Sequence, residues 1–537
     1  MKSPITICRT LAGLPLAIAF TWLSFGPAVF AQTDVETEGA RMATDEQSAF
    51  RQPANWSWFR RSGEHYSLLT DEKVERANRS DIKTGDKALE WGKGEAKSYL
   101  IPALEIPAFV FALNGVCRLL YPNDVEEGAK TYSTTRSTIW HNLTHGPWKT
   151  DQDAFRINQL GHPYQGTIYY GLARSTGHSF WESFGYTFAG SFLWEVAGET
   201  THPSTNDQVA SGIAGSFLGE PLFRISSLFL EGREKPGFWR ELAATAISPP
   251  VGFNRLVFGE RFDPVFPSHN PEIFWDFRIG ADTSSYTREQ GASDHIRKGD
   301  AVGEFSMLYG LPGEPGYHYE RPFDFFRLEF TAVNSANDPI EEITTRGLLI
   351  GQEYEVGKAY RGVWGLYGSY DYLSPHAFRT SQTALSVGTN SQWWLSRSMA
   401  LQLAALTGTG YGAAADLTAT DSGPYHYGLT AHGILSLRLI FRKIAMLDLT
   451  ARDLYVSRVA SSSAPKGEDN IERLKVNLTI PIYGRHGLAL QYVYSHRDAY
   501  YTDAADRHQT VGTFGLFYTF VSDSSFGAVE WRSEEER

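Results

Sequence analysis

The chain has 537 residues and a formal charge of −12, from 61 acidic and 49 basic side chains. That length exceeds one small core, and the acidic balance argues against a nucleic-acid partner. Only two cysteines occur, Cys8 in an N-terminal apolar segment and Cys117; once the segment is removed no intramolecular disulfide is possible, so a large core or a membrane must stabilise the exported chain.

Residues 1–31 read as a secretory signal peptide. Lys2 and Arg9 form a charged start, Leu11 to Phe30 is mostly apolar, and Val29-Phe30-Ala31 puts small residues at the cleavage positions. Residues 32–97 are polar and charge-rich and are expected to form a flexible arm. Residues 98–265 carry longer apolar runs at helical spacing, with Gly, Ala and Ser recurring among them. No apolar run there reaches about 18 uninterrupted residues, so no membrane-crossing helix is expected. The nearest candidate, Tyr99 to Leu120, is broken by Pro102, Glu105, Pro107 and Arg118.

Within this region Ser179 and Glu182 have the spacing of a capping box, which predicts a helix running to about Ala197 and ended by Gly198. Ser204 and Asp207 start another in the same way, and Gly212, Gly215, Ser216 and Gly219 give it a small face for close approach. An earlier helix is expected over 165–175. From about residue 272 the hydrophobic period changes to two and stays there. In 425–441, Tyr425, Tyr427, Leu429, Ala431, Leu435, Leu437, Leu439 and Phe441 share one face, and His426, Thr430, His432, Ser436 and Arg438 the other. Aromatic residues make up 14% of the chain, and the alternating stretches run about 10–16 residues. Both features suit tilted strands with one face to lipid and one to a polar lumen.

About twelve strands fit residues 272–522, with short turns near 395–397, 441–443 and 483–486 alternating with long polar loops. Two connections fit less well: 310–322 is long where a short turn is expected, and 374–378 is short where a loop is expected. A polar tail, 523–537, follows the last strand. The fold class is α+β: a helical N-terminal domain, periplasmic or acting as a barrel plug, followed by a transmembrane antiparallel β-barrel.

Three chemistries compete for the helical region. Thr176-Gly177-His178-Ser179 has the form of a lipid-phosphatase histidine motif. However, Lys149 and Arg156 are wrongly spaced for its basic partner motif, and His202 with Asp207 lacks the arginine of the third. His162, Glu195, Glu199 and His202 are candidate metal ligands, with Glu195 and Glu199 four apart. The bland alternative pairs these acids with Arg174 and Arg224 in a helical core. A His-x-Ser dyad for acyl-chain hydrolysis occurs only at His65/Ser67 and His202/Ser204, ahead of the barrel, and Ser495-His496 face opposite sides of a strand.

A set of residues carries a resemblance. It runs through Trp148, Asp151, Asp153, Phe155 and Asn158, then HPYQG (162–166), YY (169–170), ARS (173–175) and SFWES (179–183). It continues through GS (190–191), WE (194–195), GE (198–199), PS (203–204), ND (206–207), GE (219–220) and Arg224. Over 115–265 the chain thereby resembles an uncharacterised Gram-negative exported family, described only as a domain of unknown function. PFDFF (322–326) has the same character. The resemblance implies export and a following barrel, and it implies no activity.

The expected function is structural, or transport and handling of a lipid or envelope component. The alternative is an envelope hydrolase using His162, Glu195, Glu199 and Asp207. The expected partners are outer-membrane lipid and the barrel assembly machinery, with the substrate open and no cofactor.

Overall fold

The computed structural model describes residues 97–531, apart from 127, 152, 233–234, 263–264, 288–295, 313–316, 336–337, 418–424, 460–465, 523–525, 528 and 530. The expected signal peptide and nearly all of the charged arm lie outside the described residues. Among those described, seven helices precede twelve barrel strands. The helices are α1 Leu100–Leu120, α2 Arg136–Thr144, α3 His162–Ser175, α4 Phe180–Ala197, α5 Gly215–Leu230, α6 Phe238–Ile247 and α7 Pro249–Phe258.

The barrel strands are β1 Ile273–Thr287, β2 Ile296–Tyr309, β3 Phe326–Val333, β4 Ile340–Val356, β5 Tyr360–Leu373 and β6 Phe378–Trp394. They continue as β7 Met399–Asp416, β8 Tyr425–Phe441, β9 Ala445–Val456, β10 Gly467–Tyr483, β11 His486–Tyr501 and β12 Arg507–Val521. Each pairs antiparallel with its sequence neighbours, and β12 closes on β1. The expected twelve-strand count and α+β class are therefore found. The tight turns after β4, β6, β8 and β10 lie at one rim; the loops after β1, β7, β9 and β11 lie at the other.

Strand alternation separates the two faces. On β8 the even residues Thr430, His432, Ser436 and Arg438 are buried inward, while Leu429 and Leu435 are 48% and 42% exposed. Inward side chains fill the lumen with ion pairs. Arg452 of β9 reaches across to Glu329 of β3 and Asp371 of β5, both at 3.2 Å. Arg473 of β10 meets Glu342 of β4 at 3.2 Å, and Lys475 meets Glu304 of β2 at 3.4 Å. Two hollows among these side chains measure about 30 and 40 Å³, room for a few waters rather than a solute.

The atypical connections and the tail also have places. Leu311 and Phe325 from the long 310–325 connection pack with Phe274 and Leu308 at the tight-turn end of the lumen. The described part of the tail folds back into the same mouth: Phe526 and Val529 are buried there, and Gln402 Nε2 donates to the Gly527 carbonyl at 3.3 Å.

The helical domain does not plug the lumen, which corrects that one of the two expected positions. It packs against the outside of the wall. Met307, Tyr309, Phe326, Leu328, Tyr370, Tyr372, Tyr425 and Tyr427 all have the outward parity of their strands, yet all are buried in one cluster with helix residues such as Phe217 and Phe223. The lumen is already occupied by paired charges, whereas an outward aromatic patch offers apolar area to cover. Gly368 of β5 shows why α5 can lie flat on the wall, since a Cβ there would stand 2.6 Å from the Phe217 ring.

The cap predictions hold locally. Ser179 and Glu182 form a capping box at the start of α4, and Ser204 Oγ accepts from Asp207 N at 3.2 Å. The helix begun there has one α turn (Thr205–Asp207), a π segment (Gln208–Ala214) and then α5. Its small face meets α3: a Cβ on Gly166 would lie 1.9 Å from the Ser211 carbonyl oxygen, and one on Gly215 would lie 2.5 Å from Gly166 Cα. Gly215→Leu is therefore expected to destabilise the helical domain by about 1–3 kcal/mol, the range for overpacking. Unfolding in detergent followed by tryptophan fluorescence would read this loss, with the barrel keeping its heat-resistant electrophoretic mobility.

Candidate functional site

The sequence candidates fall into separate environments. α4 ends at Ala197, so Glu195 stays on the helix and Glu199 leaves it. Glu199 Oε1 accepts from Trp194 Nε1 at 3.1 Å and Oε2 from Thr201 Oγ1 at 3.2 Å. His202 Nδ1 lies 3.0 Å from Lys149 Nζ. Among the described residues no three His, Cys, Asp or Glu side chains gather as a metal ion would require.

Asp207 lies near both His162 and Glu195, and each of the three is less than a tenth exposed. Glu195 Oε2 accepts from Ser204 N at 2.8 Å, so the acid stabilises the start of the next helix. Burial, then the charges of Asp207 and Glu199, push its carboxyl well above the ordinary range. Burial pushes the His162 imidazole down to about 4. Its Nδ1 lies 3.2 Å from Ser211 Oγ and its Nε2 3.7 Å from Asp207 Oδ2. This Ser-His-Asp order, which sequence spacing did not reveal, resembles a nucleophile's setting. However, Ser211 is 1% exposed and shut under Gly166, and 3.7 Å is beyond a hydrogen bond.

The pairing expected for Arg174 and Arg224 is corrected. They meet Glu220, not Glu195 or Glu199. Arg174 Nε donates to Glu220 Oε2 at 2.8 Å and Arg224 Nε to Oε1 at 2.7 Å. Tyr170 OH donates to the same carboxylate at 2.7 Å. Arg224 then extends to the barrel, with Nη1 on Asp324 Oδ1 at 3.0 Å and Nη2 on the Pro322 carbonyl at 2.8 Å. Phe323 of the same PFDFF stretch stacks on Phe180 at 5.4 Å and meets Phe217 at 6.2 Å. The motif is a clasp, in which Phe323 adopts φ 66° to turn outward while Phe325 turns in.

A second clasp forms at the opposite rim. Asn158 Nδ2 donates to Tyr425 OH at 2.9 Å, Gln159 Nε2 to Tyr427 OH at 2.9 Å and Asn206 Nδ2 to Tyr427 OH at 2.8 Å. Tyr425 OH donates to the Asp153 carbonyl at 2.6 Å, and the Phe155 ring meets Tyr425 at 5.3 Å. Asp151 ties this group together, its N–H donating to Asn206 Oδ1 at 2.8 Å and its Oδ2 accepting from Asn158 at 3.1 Å.

Residues 147–250 match the family described as a domain of unknown function, DUF3943. The matched span lies inside the 115–265 stretch picked out by motif. Residues within the matched span, including Asp151, Asp153, Phe155, Asn158, Asn206, Glu220 and Arg224, build the two clasps. No curated protein matches the chain. Among solved structures it is similar to the outer-membrane channel DcaP of Acinetobacter baumannii, at 8% identity and TM-score 0.22, covering 46% of this chain and 97% of that one. It is also similar to the translocator domain of the autotransporter NalP from Neisseria meningitidis, at 13% identity and TM-score 0.22, covering 45% and 88%. Likenesses this loose carry no function, which has to come from the chain's own residues.

His178, the residue that suggested a phosphatase, packs between α1 and α4. Its Nε2 donates to the Ser98 carbonyl at 3.0 Å, and its ring meets Tyr99 at 4.7 Å and Tyr186 at 5.0 Å. Inside the barrel a Ser-His contact exists that the His-x-Ser rule could not find. Ser386 of β6 and His432 of β8 meet at 2.8 Å across β7, where Gly408 leaves the space.

Glu220→Ala would leave two buried guanidiniums without their shared carboxylate, and is expected to cost about 3–5 kcal/mol. Glu195→Gln should instead be tolerated and change the pH profile. A raised folded-state pKa gives stability that is complete below the ordinary carboxylate value of 4.5 and is lost as pH rises through the raised value. Denaturant midpoints of the helical domain should therefore fall on the alkaline side in the native chain and stay flat in Glu195→Gln. Both should still weaken on the acid side as pH falls from 6.5 towards 4, where His162 must take up a proton.

Proposed function

We propose that this chain is an outer-membrane barrel that acts at its outer wall, in a structural role or in handling a lipid or envelope component, rather than as an open aqueous pore. One observation carries the reading: paired charges bridge the lumen from β9 and β10 to β2–β5, while the helical domain is clasped to the wall from outside. The uncovered wall supports a lipid setting, since Leu490, Leu516 and Ile480 are 41–53% exposed on β10–β12 and such a belt is stable in hydrocarbon. In this reading the tight-turn rim faces the periplasm. The partners are outer-membrane lipid and the barrel assembly machinery. The hydrolase alternative gains nothing from His162, Glu195 and Asp207, which are sealed in the helical core.

The test is fractionation followed by planar-bilayer recording. The mature chain is expected in the outer-membrane fraction, heat-modifiable in detergent and without steady ohmic conductance. Recovery as a soluble protein, or porin-like conductance steps, would overturn the reading.

A further inference from the structure

The two clasps lie at opposite rims of the barrel. Tyr427 is the third residue of β8 at the long-loop rim, and Asp324 lies two residues before β3 at the tight-turn rim. The helix from Thr205 to Leu230 joins them on the outer wall, from Asn206 on Tyr427 to Arg224 on Asp324. The 18 steps from Asn206 to Arg224 cover about 27 Å at the α-helical rise of 1.5 Å per residue, slightly less through the π segment Gln208–Ala214, and with its remaining turns to Leu230 the 26-residue helix reaches the roughly 30 Å of a hydrocarbon core. The bundle beside it runs the same way. α3 starts at His162 against Ser211 and Asp207 and ends near Ser98; α4 starts at Phe180 on Phe323 and ends beside Ser204. α1 follows, with Lys97 on Glu182 near one end and Asn114 on the Gly198 carbonyl towards the other.

We propose that this helical bundle stands in the hydrocarbon layer beside the barrel, so that lipid meets strands on one side of the molecule and helices on the other. The proposal rests on the membrane-barrel reading above and adds a lipid-facing surface to it. Three observations support it. First, α1 is apolar enough to cross a membrane and only about a fifth of its apolar window is buried, with Leu104 and Phe111 62% and 54% exposed. An exposed apolar face of that kind needs an apolar neighbour. Second, the charges of α5 obey the rule for membrane helices: Glu220 and Arg224 are at most 2% exposed and are paired inward with Arg174 and Asp324. Third, Pro221 removes the intrahelical donor to the Phe217 carbonyl, and Thr345 Oγ1 on the barrel's outer face donates to it at 3.5 Å. The occupant of the surface is the acyl layer of the bilayer.

Single cysteines carrying a nitroxide, in a chain with its native cysteines replaced by serine, test this in phospholipid vesicles. The sites are Leu104→Cys on α1, Leu256→Cys on α7 (84% exposed, on a helix held to α3 by Asn254 Nδ2 donating to Ser175 Oγ at 2.8 Å), Leu490→Cys on the bare barrel wall and Thr502→Cys in a loop. Heat-modifiable mobility confirms that each variant is folded. Collisions with dissolved oxygen should exceed those with a water-soluble nickel chelate at Leu104, Leu256 and Leu490, with the reverse at Thr502. If Leu104 and Leu256 behave like Thr502 while Leu490 stays on the oxygen side, the inference falls and the barrel reading stands. If Leu490 is also reached by the chelate, the barrel reading itself falls.

Discussion

The arrangement depends on one shared carboxylate. Glu220 neutralises Arg174 and Arg224 together, and Arg224 can then reach Asp324 on the barrel. Buried charges are tolerable only when every member has a partner. The chain Arg174–Glu220–Arg224–Asp324 meets that condition and in doing so fixes α3, α5 and the 310–325 connection against one another. The Arg174 guanidinium also lies over Phe223 at 4.8 Å, so the same group orders the aromatic packing beneath it.

Two polar systems with different tasks share this molecule. Inside the barrel, charges cross the lumen and leave little free volume. Outside it, amides and tyrosine hydroxyls hold the helices to the wall at one rim and a salt bridge holds them at the other. Between the rims contact is close and mainly apolar, with Phe217 over Gly368 and one polar link from Thr345 Oγ1 to the Phe217 carbonyl. Polar groups at the ends set position and register, and the apolar middle supplies most of the contact area.

The sequence made the barrel legible because alternation at period two is local: faces, turns and strand count can each be read from neighbouring residues. The caps at Ser179 and Ser204 were legible for the same reason. The docking mode was not. Tyr425 and Tyr427 have the same outward parity as Leu429 and Leu435, and periodicity cannot distinguish a wall covered by lipid from one covered by a helix. The partner of Arg174 was misjudged because it meets Glu220 from 46 residues away, a pairing that local spacing does not show, although Glu220 and Arg224 stand four apart on α5. The prolines of 99–120 were read as breaking a long helix, whereas α1 continues through Pro107, and both it and the helix from Thr205 to Leu230 are of membrane length and apolar composition. Asn158 and Asn206 were noticed only as members of a motif, since their targets, a pair of tyrosines more than 200 positions away, leave no local trace, and Asp151 was noticed in the same way because it acts through those two amides.

The side of the barrel that the helices leave bare has a consequence for how the chain closes. The helical cluster takes wall residues from β2–β5, β7 and β8, with Ile273 and Trp275 of β1 packed against its edge, so the β12–β1 junction borders the docked sector and the bare wall is that of β10–β12. That junction joins strands more than 200 residues apart, the most non-local pairing in the sheet and the one whose loop-closure entropy is met last. The docked strands lie close together along the chain, so the bundle can seat on them while the sheet is still open. The final seam then closes at the edge of the docked sector, and the folded-back tail packs with Phe274 of β1 and Val521 of β12, so that mouth is completed by the same closure.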